Sequence, residues 1–231
     1  GEWQGEIWNR HKNGYAYPEW LTISAVRDEQ NRVTNYVGIF VDITSRKQAE
    51  ERLRHMATHD PLTGLWNRRA ILNRLEEVCR SSAPSQGRQP LGLIIIDLDD
   101  FKGVNDALGH ISGDIVLRAA ARQIEAQTRQ GDAVGRYGGD EFLVILPGAD
   151  REALESVVQR IAGTNYDIPV EGRSVIITAS CGALAVSGES VPNAMALLAQ
   201  ADGLLIRSKK SGKHSYLIGT LAGRSADRHS A

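Results

Sequence analysis

The chain has 231 residues, of which 42% are hydrophobic and 24% charged, and its formal net charge is −1. This is the make-up of a globular chain with one full domain and a smaller piece. The charge balance supplies no global field for nucleic acid or an anionic membrane, and no apolar run nears the ~20 residues of a membrane span. Neither is expected as a partner of these residues, and a cytoplasmic setting is expected. Cys79 and Cys181 lack metal-ligand spacing and are expected as buried thiols in a reducing compartment. The first residue, Gly1, stands in what reads as a strand pattern, so the chain is expected to be a fragment of a longer protein.

Residues 1–43 read as antiparallel sheet. Residues 3–8 alternate, Asn13-Gly14 is a hairpin turn signal, and runs at 17–26 and 33–41 are rich in β-branched and aromatic residues, with turn residues between them. Residues 45–58 form a charged helix with one narrow apolar stripe, Ala49, Leu53 and Met56.

From Asp60 onward helices and strands alternate. Helices are expected at 67–82, 113–130, 150–162 and 191–211. Strands are expected at 91–97, 133–137, 141–146, 174–186 (with a bend near Gly182) and 215–218. A Ser/Pro/Gly/Gln loop occupies 81–90, and residues 219–231 read as a disordered tail. The mixed order gives an α/β or α+β fold with helices packed on a central sheet.

Two segments carry chemistry. An apolar strand runs directly into Asp97, Leu98, Asp99, Asp100, Phe101 and Lys102. Acids ending a buried strand need solvent or a cation, and hard cations prefer such oxygens. On strand geometry Asp97 and Asp99 share a face. The second segment, Arg136 to Phe142, places Gly138 and Gly139 between two strands and follows them with Asp140 and Glu141. Glycines there leave backbone N–H groups open to a phosphate, and successive acids in a strand face opposite ways. Each segment also has a plain reading, a solvated strand end and an ordinary hairpin. Asp114 could equally favour a helix N-terminus, and Lys209 and Lys213 a helix C-terminus. His110 reads as a structural hydrogen-bonding group.

These segments follow one another in the order of a known family. The chain over roughly residues 58–218 resembles the GGDEF diguanylate cyclases. The motifs are Asp60-Pro-Leu-Thr-Gly with Asn67-Arg68-Arg69, Asp97 to Lys102, Asn105-Asp106, Gly109-His110, Gly113-Asp114, Gly138 to Phe142, and Ala201-Asp202 with Lys209 and Lys213. The resemblance implies a ferredoxin-like cyclase domain with a central mixed sheet that joins two GTP into cyclic di-GMP as a homodimer. It implies Asp97, Asp140 and the Leu98 carbonyl as ligands of Mg²⁺ or Mn²⁺, two per active site, with Glu141 assisting the attacking hydroxyl. Phe101, Lys102, Gly138, Gly139, Lys209 and Lys213 match phosphate-contacting positions. Asn105 and Asp114 match positions that read guanine, whose paired donors a carboxylate can accept together. Arg129 and Asp132 match an inhibitory product site, completed by Arg160 from a neighbouring subunit. Residues 1–44, ending Val41-Asp42-Ile43-Thr44, resemble the C-terminal part of a PAS sensor domain, with 45–58 as the connector. The chain departs from the family pattern at Asp100, Ile206 and His214. A nucleotide-binding regulator without turnover, and a cyclase of different base preference, remain the rival readings.

Overall fold

The computed structural model describes residues 1–81, 89–170, 172–187 and 193–222. It divides into two units, Gly1–Ala57 and Thr58–Ala231. The first unit is a three-stranded antiparallel sheet of β1 (Glu2–Arg10), β2 (Ala16–Arg27) and β3 (Val33–Asp42), followed by helix α1 (Thr44–Thr58). Gly14 takes a φ of 94° in the β1–β2 turn, the conformation the Asn-Gly pair selects for. Glu6 holds Arg46 at 3.2 Å and Lys47 at 2.5 Å, fixing the first turn of α1 to β1. Leu53 and Met56 are exposed, so the narrow stripe on α1 is uncovered in a single copy.

The second unit is built on a five-stranded sheet in the order β10-β9-β4-β6-β5. Its strands are β4 (Leu91–Leu98), β5 (Ala133–Arg136), β6 (Glu141–Pro147), β9 (Ala179–Ser187) and β10 (Tyr216–Ala222). Only β10 and β9 pair in parallel. Taking β4, β5, β6 and β9 in turn as first to fourth, their spatial order is 4-1-3-2. Helices α3 (Phe101–Glu125) and α4 (Arg151–Ala162) lie between them in sequence, which is the ferredoxin-like arrangement expected. A small hairpin, β7 (Tyr166–Val170) and β8 (Arg173–Ile177), precedes β9.

Strand β4 is buried along its whole length and sorts its side chains to two cores. Ile94, Ile96 and Leu98 meet α3 and α4. Leu91, Leu93 and Ile95 meet α2 (Arg68–Ser81) and α5 (Ala194–Ser211) on the other face. Asn67, Asp150 and Asn193 cap α2, α4 and α5 by accepting from the N–H three residues on, as short polar side chains do at helix starts. None of the helices among the described residues is long and apolar enough to cross a membrane.

Five expectations are corrected. The helix expected at 113–130 begins twelve residues earlier, at Phe101, and ends at Glu125; Gly109, with φ 80° and ψ 164°, interrupts it. The single strand expected at 174–186 is two strands, divided at Thr178, whose carbonyl accepts from the Asp99 N–H at 2.8 Å. No bend falls at Gly182. That residue sits inside β9 because α5 lies on it: an added Cβ would stand 2.2 Å from the Ala201 carbonyl oxygen and 2.3 Å from the Leu205 nitrogen. Residues 219–222 belong to β10 rather than to a tail, while 223–231 lie outside the described residues, as does most of the 81–90 loop. Cys181 is buried as expected, but Cys79 is only half-buried.

Candidate functional site

The site forms where β4 ends. The β4–β6 register sets Asp97 opposite Glu141, and the β4–β9 register sets it opposite Ser180. Asp97 is 9% exposed, and Lys209 of α5 reaches it with Nζ 2.6 Å from Oδ2. Burial pushes the Asp97 carboxyl above the usual range; Lys209 opposes this, while Asp140 and Asp99 reinforce it. Glu141 is pushed up the same way, by burial first and then by the charges of Asp97 and Asp140. Asp97, Asp140 and Glu141 thus crowd one strand end, and among the described residues only Lys209 forms an ion pair with them, so the cluster favours further positive charge. Among the described residues no three His, Cys, Asp or Glu side chains stand at metal-ligand spacing. Two carboxylates and a carbonyl, completed by water and phosphate oxygens, are the set that fits a hard cation here.

The turn before β6 is braced from below. Arg136 donates to the Gly139 carbonyl from Nε at 3.0 Å and from Nη2 at 2.7 Å, and its Nη1 lies 3.3 Å from both carboxylate oxygens of Asp60. Asp60 is itself fixed by the Thr63 N–H and hydroxyl, at 2.9 and 2.8 Å. The Gly138 N–H donates to the Glu141 carbonyl at 3.2 Å within the hairpin.

Asp99 departs from the expected geometry as well. β4 ends at Leu98, and the Asp99 carboxylate accepts from Thr178 Oγ1 and Ser180 Oγ at 2.7 Å each and from the His214 N–H at 2.9 Å. Asp100 follows with a φ of 59°, a conformation aspartate tolerates better than most residues, and turns the chain into α3.

The first half of α3 lines a cavity of about 450 Å³. Phe101, Lys102, Asn105, Asp114, Gly139 and Asp140, all singled out from sequence, border it. So do Asp106, His110 and Arg136, which the sequence reading did not assign to a ligand. The break at Gly109 folds the two halves of α3 so that Asn105 lies across Gly113, beside Asp114. Asp140 faces this cavity while Glu141 stands beside Asp97, the divergence expected of successive acids. Lys213 stands 3.8 Å from Asp100, on the rim of the acid cluster.

A second cavity of about 280 Å³ is bordered by Arg129, Asp132, Arg160 and Gln127. Asp132 accepts from the Arg129 N–H at 2.9 Å, and Arg160 donates to the Gln127 carbonyl at 2.8 Å. Arg160 therefore borders the cavity of its own chain.

A family model described as diguanylate cyclase, GGDEF domain, matches residues 57–215. The chain is 36% identical over 165 residues to the diguanylate cyclase DgcP of Pseudomonas aeruginosa, which covers 71% of this chain and 24% of that protein. It is 33% identical over 180 residues to the cyclic di-GMP phosphodiesterase PdeR of Escherichia coli, which covers 78% of this chain and 26% of that one. The chain thus spans about a quarter of the length of these relatives. Among solved structures it resembles the coiled coil and GGDEF domain of DgcB from Caulobacter crescentus in complex with c-di-GMP. The TM-score is 0.66 at 25% identity, over 78% of this chain and 93% of that one.

Proposed function

The chain belongs to the GGDEF diguanylate cyclase family, and from that premise we propose that it condenses two GTP into cyclic di-GMP and two pyrophosphates. The observation that carries the reading is the meeting, at the end of β4, of the Asp97–Asp140–Glu141 cluster with the α3 cavity.

Asn105 and Asp114 accept the donors of guanine, for which adenine has no equivalent pair. Lys102, Lys209 and Lys213 neutralise the triphosphate, Phe101 walls the cavity, and Gly139 keeps the turn free of side chains. Asp97, Asp140 and the Leu98 carbonyl would hold two Mg²⁺ or Mn²⁺ ions. When bound, such ions screen phosphate charge and acidify the attacking hydroxyl. Glu141, whose carboxyl burial raises above its ordinary value, would accept that proton. The 3′-oxygen of one GTP bonds to the α-phosphorus of the other as the bond to the leaving pyrophosphate breaks, and the same exchange closes the ring. One chain holds one nucleotide, so two copies must face each other as a homodimer.

Arg129, Asp132 and Arg160 are proposed as the product-inhibition site, because arginine pairs bidentately with guanine and aspartate accepts its donors. Residues 1–44 are proposed as the C-terminal part of a PAS sensor, residues 45–58 as its connector, and the cytoplasm as the place of reaction. One observation favours a second reading, a nucleotide-binding regulator without turnover: PdeR, similar over this stretch, is named for the opposing activity. The intact acids favour the cyclase. Incubation with Mg²⁺ and an equal mixture of GTP and ATP, followed by chromatography, is expected to give cyclic di-GMP alone. Adenine-containing products would overturn the base assignment, and bound but unconverted GTP would favour the regulator.

A further inference from the structure

The three hydrogen bonds on Asp99 join segments that are distant in sequence. Asp99 is 7% exposed and follows β4 directly. Thr178 and Ser180 come from the junction of β8 and β9, whereas His214 lies between α5 and β10. His214 is the neighbour of Lys213, and α5 ends with Lys209 in its last turn. The backbone of His214 has a φ of 57°, a left-handed conformation that a residue other than glycine keeps only when its surroundings hold it there. The bond from its N–H to a buried carboxylate is such a constraint, and the Ser215 carbonyl accepts from the Cys181 N–H at 2.9 Å just beyond it.

We propose that Asp99 is a positioning residue: its carboxylate tethers the loop after α5 to the acid end of β4, and so sets where Lys213 and the end of α5 present their charges to the nucleotide triphosphate. This rests on the nucleotide reading above. Asp97, two residues away, is left to face Lys209 and the carboxylates, while Asp99 is occupied by donors from three directions. The role depends on acceptor geometry, not on charge. An asparagine with its oxygen at the Oδ2 position would still accept from Thr178 and His214, and its amide would donate to the Ser180 hydroxyl.

The test is the dissociation constant of a fluorescent, non-hydrolysable GTP analogue with Mg²⁺, measured on the whole chain. Asp99→Ala is expected to weaken binding roughly tenfold, since loss of positioning at a distance has effects of that order or larger. Asp99→Asn is expected to restore most of the affinity. Thr178→Val with Ser180→Ala removes the two side-chain donors but keeps the His214 bond; it is expected to lower the melting temperature and leave affinity within twofold of the wild type, about 0.4 kcal/mol or less. The His214 amide of the wild type is expected to be protected from hydrogen exchange, which is readable even if Asp99→Ala does not fold. Wild-type binding with Asp99→Ala unchanged would overturn the tether, as would Asp99→Asn matching Asp99→Ala, or an unprotected His214 amide. Equal weakening by the Thr178/Ser180 pair would mark Asp99 as a general fold anchor and overturn it too. A wild type that does not bind the analogue would sink the nucleotide reading itself, a distinct result.

Discussion

Replacing Gly113 by alanine should weaken GTP binding without unfolding the protein. An ideal Cβ at that position would stand 2.0 Å from Asn105 Oδ1, 3.0 Å from its Cγ and 3.2 Å from the Phe101 Cζ. The first distance is far inside van der Waals contact, and the atom met is the end of a flexible side chain. Asn105 therefore swings off α3 and away from Asp114. Alanine is the better helix former by ~1 kcal/mol, which offsets part of the repacking cost, so the net change in stability should stay within about 1 kcal/mol. A lost hydrogen bond to the base contributes ~0.5–1.5 kcal/mol, or roughly a two- to tenfold weaker GTP complex. Thermal melting and titration with the GTP analogue read the two effects separately. Unchanged affinity with a correctly folded variant would refute the placement of Asn105 as a base contact. A loss of stability above about 3 kcal/mol would mean that the helix backbone, and not the side chain, had moved.

Gly182→Ala meets backbone on both sides, the Ala201 carbonyl and the Leu205 nitrogen, so α5 must lift from the sheet. A destabilisation of about 3 kcal/mol is expected in chemical denaturation, well above that of Gly113→Ala. Lys209→Met leaves the nearly buried Asp97 without its 2.6 Å partner and should cost about 1–2 kcal/mol, solvent at the half-exposed Lys209 screening the pair. Millimolar Mg²⁺ should raise the melting temperature of this variant more than that of the wild type. Glu141→Gln should melt higher than the wild type near neutral pH. A carboxyl raised in the folded state binds its proton more tightly there than in the unfolded chain, so its ionisation costs stability as pH rises past the ordinary carboxylate value. The advantage of glutamine should shrink below that value, as both forms become neutral, and stability measured across mildly acidic pH checks the sign. Leu53→Glu with Met56→Glu changes exposed positions on α1. It should alter turnover while leaving the GTP affinity of the whole chain unchanged; unchanged turnover would count against α1 setting how two copies pair.

Parts of this molecule were legible because local chemistry fixes them. A strand buried on both faces must read as a continuous apolar run, as residues 91–96 do, and two glycines between two strand patterns read as a turn. The first half of α3 was not legible. Gly103, Asn105, Asp106 and Gly109 are poor helix formers, and the segment is helical because Phe101 is buried in the core and Asp100 turns the chain into it. Strand β7 was hidden by Pro169, a residue that argues against a strand unless it lies at an edge, as here, while β8 was read as the start of one strand with β9. The motifs named candidate residues that border the α3 cavity, but not the partners that hold them. Asp60 and Arg136 are 76 positions apart, and no spacing rule links them. Asp97 faces Glu141 only because of the β4–β6 register, and Asp99 is drawn away from that face by donors at the break between β8 and β9 and by the His214 N–H.

The most direct test of the central claim is product formation by the whole chain with GTP and Mg²⁺, counted against pyrophosphate released and compared with Asp140→Ala. The wild type should release two pyrophosphates per cyclic di-GMP, with a rate per chain that rises with protein concentration, and Asp140→Ala should form no product. Equal product from Asp140→Ala, or a single pyrophosphate released with a linear product, would contradict the account.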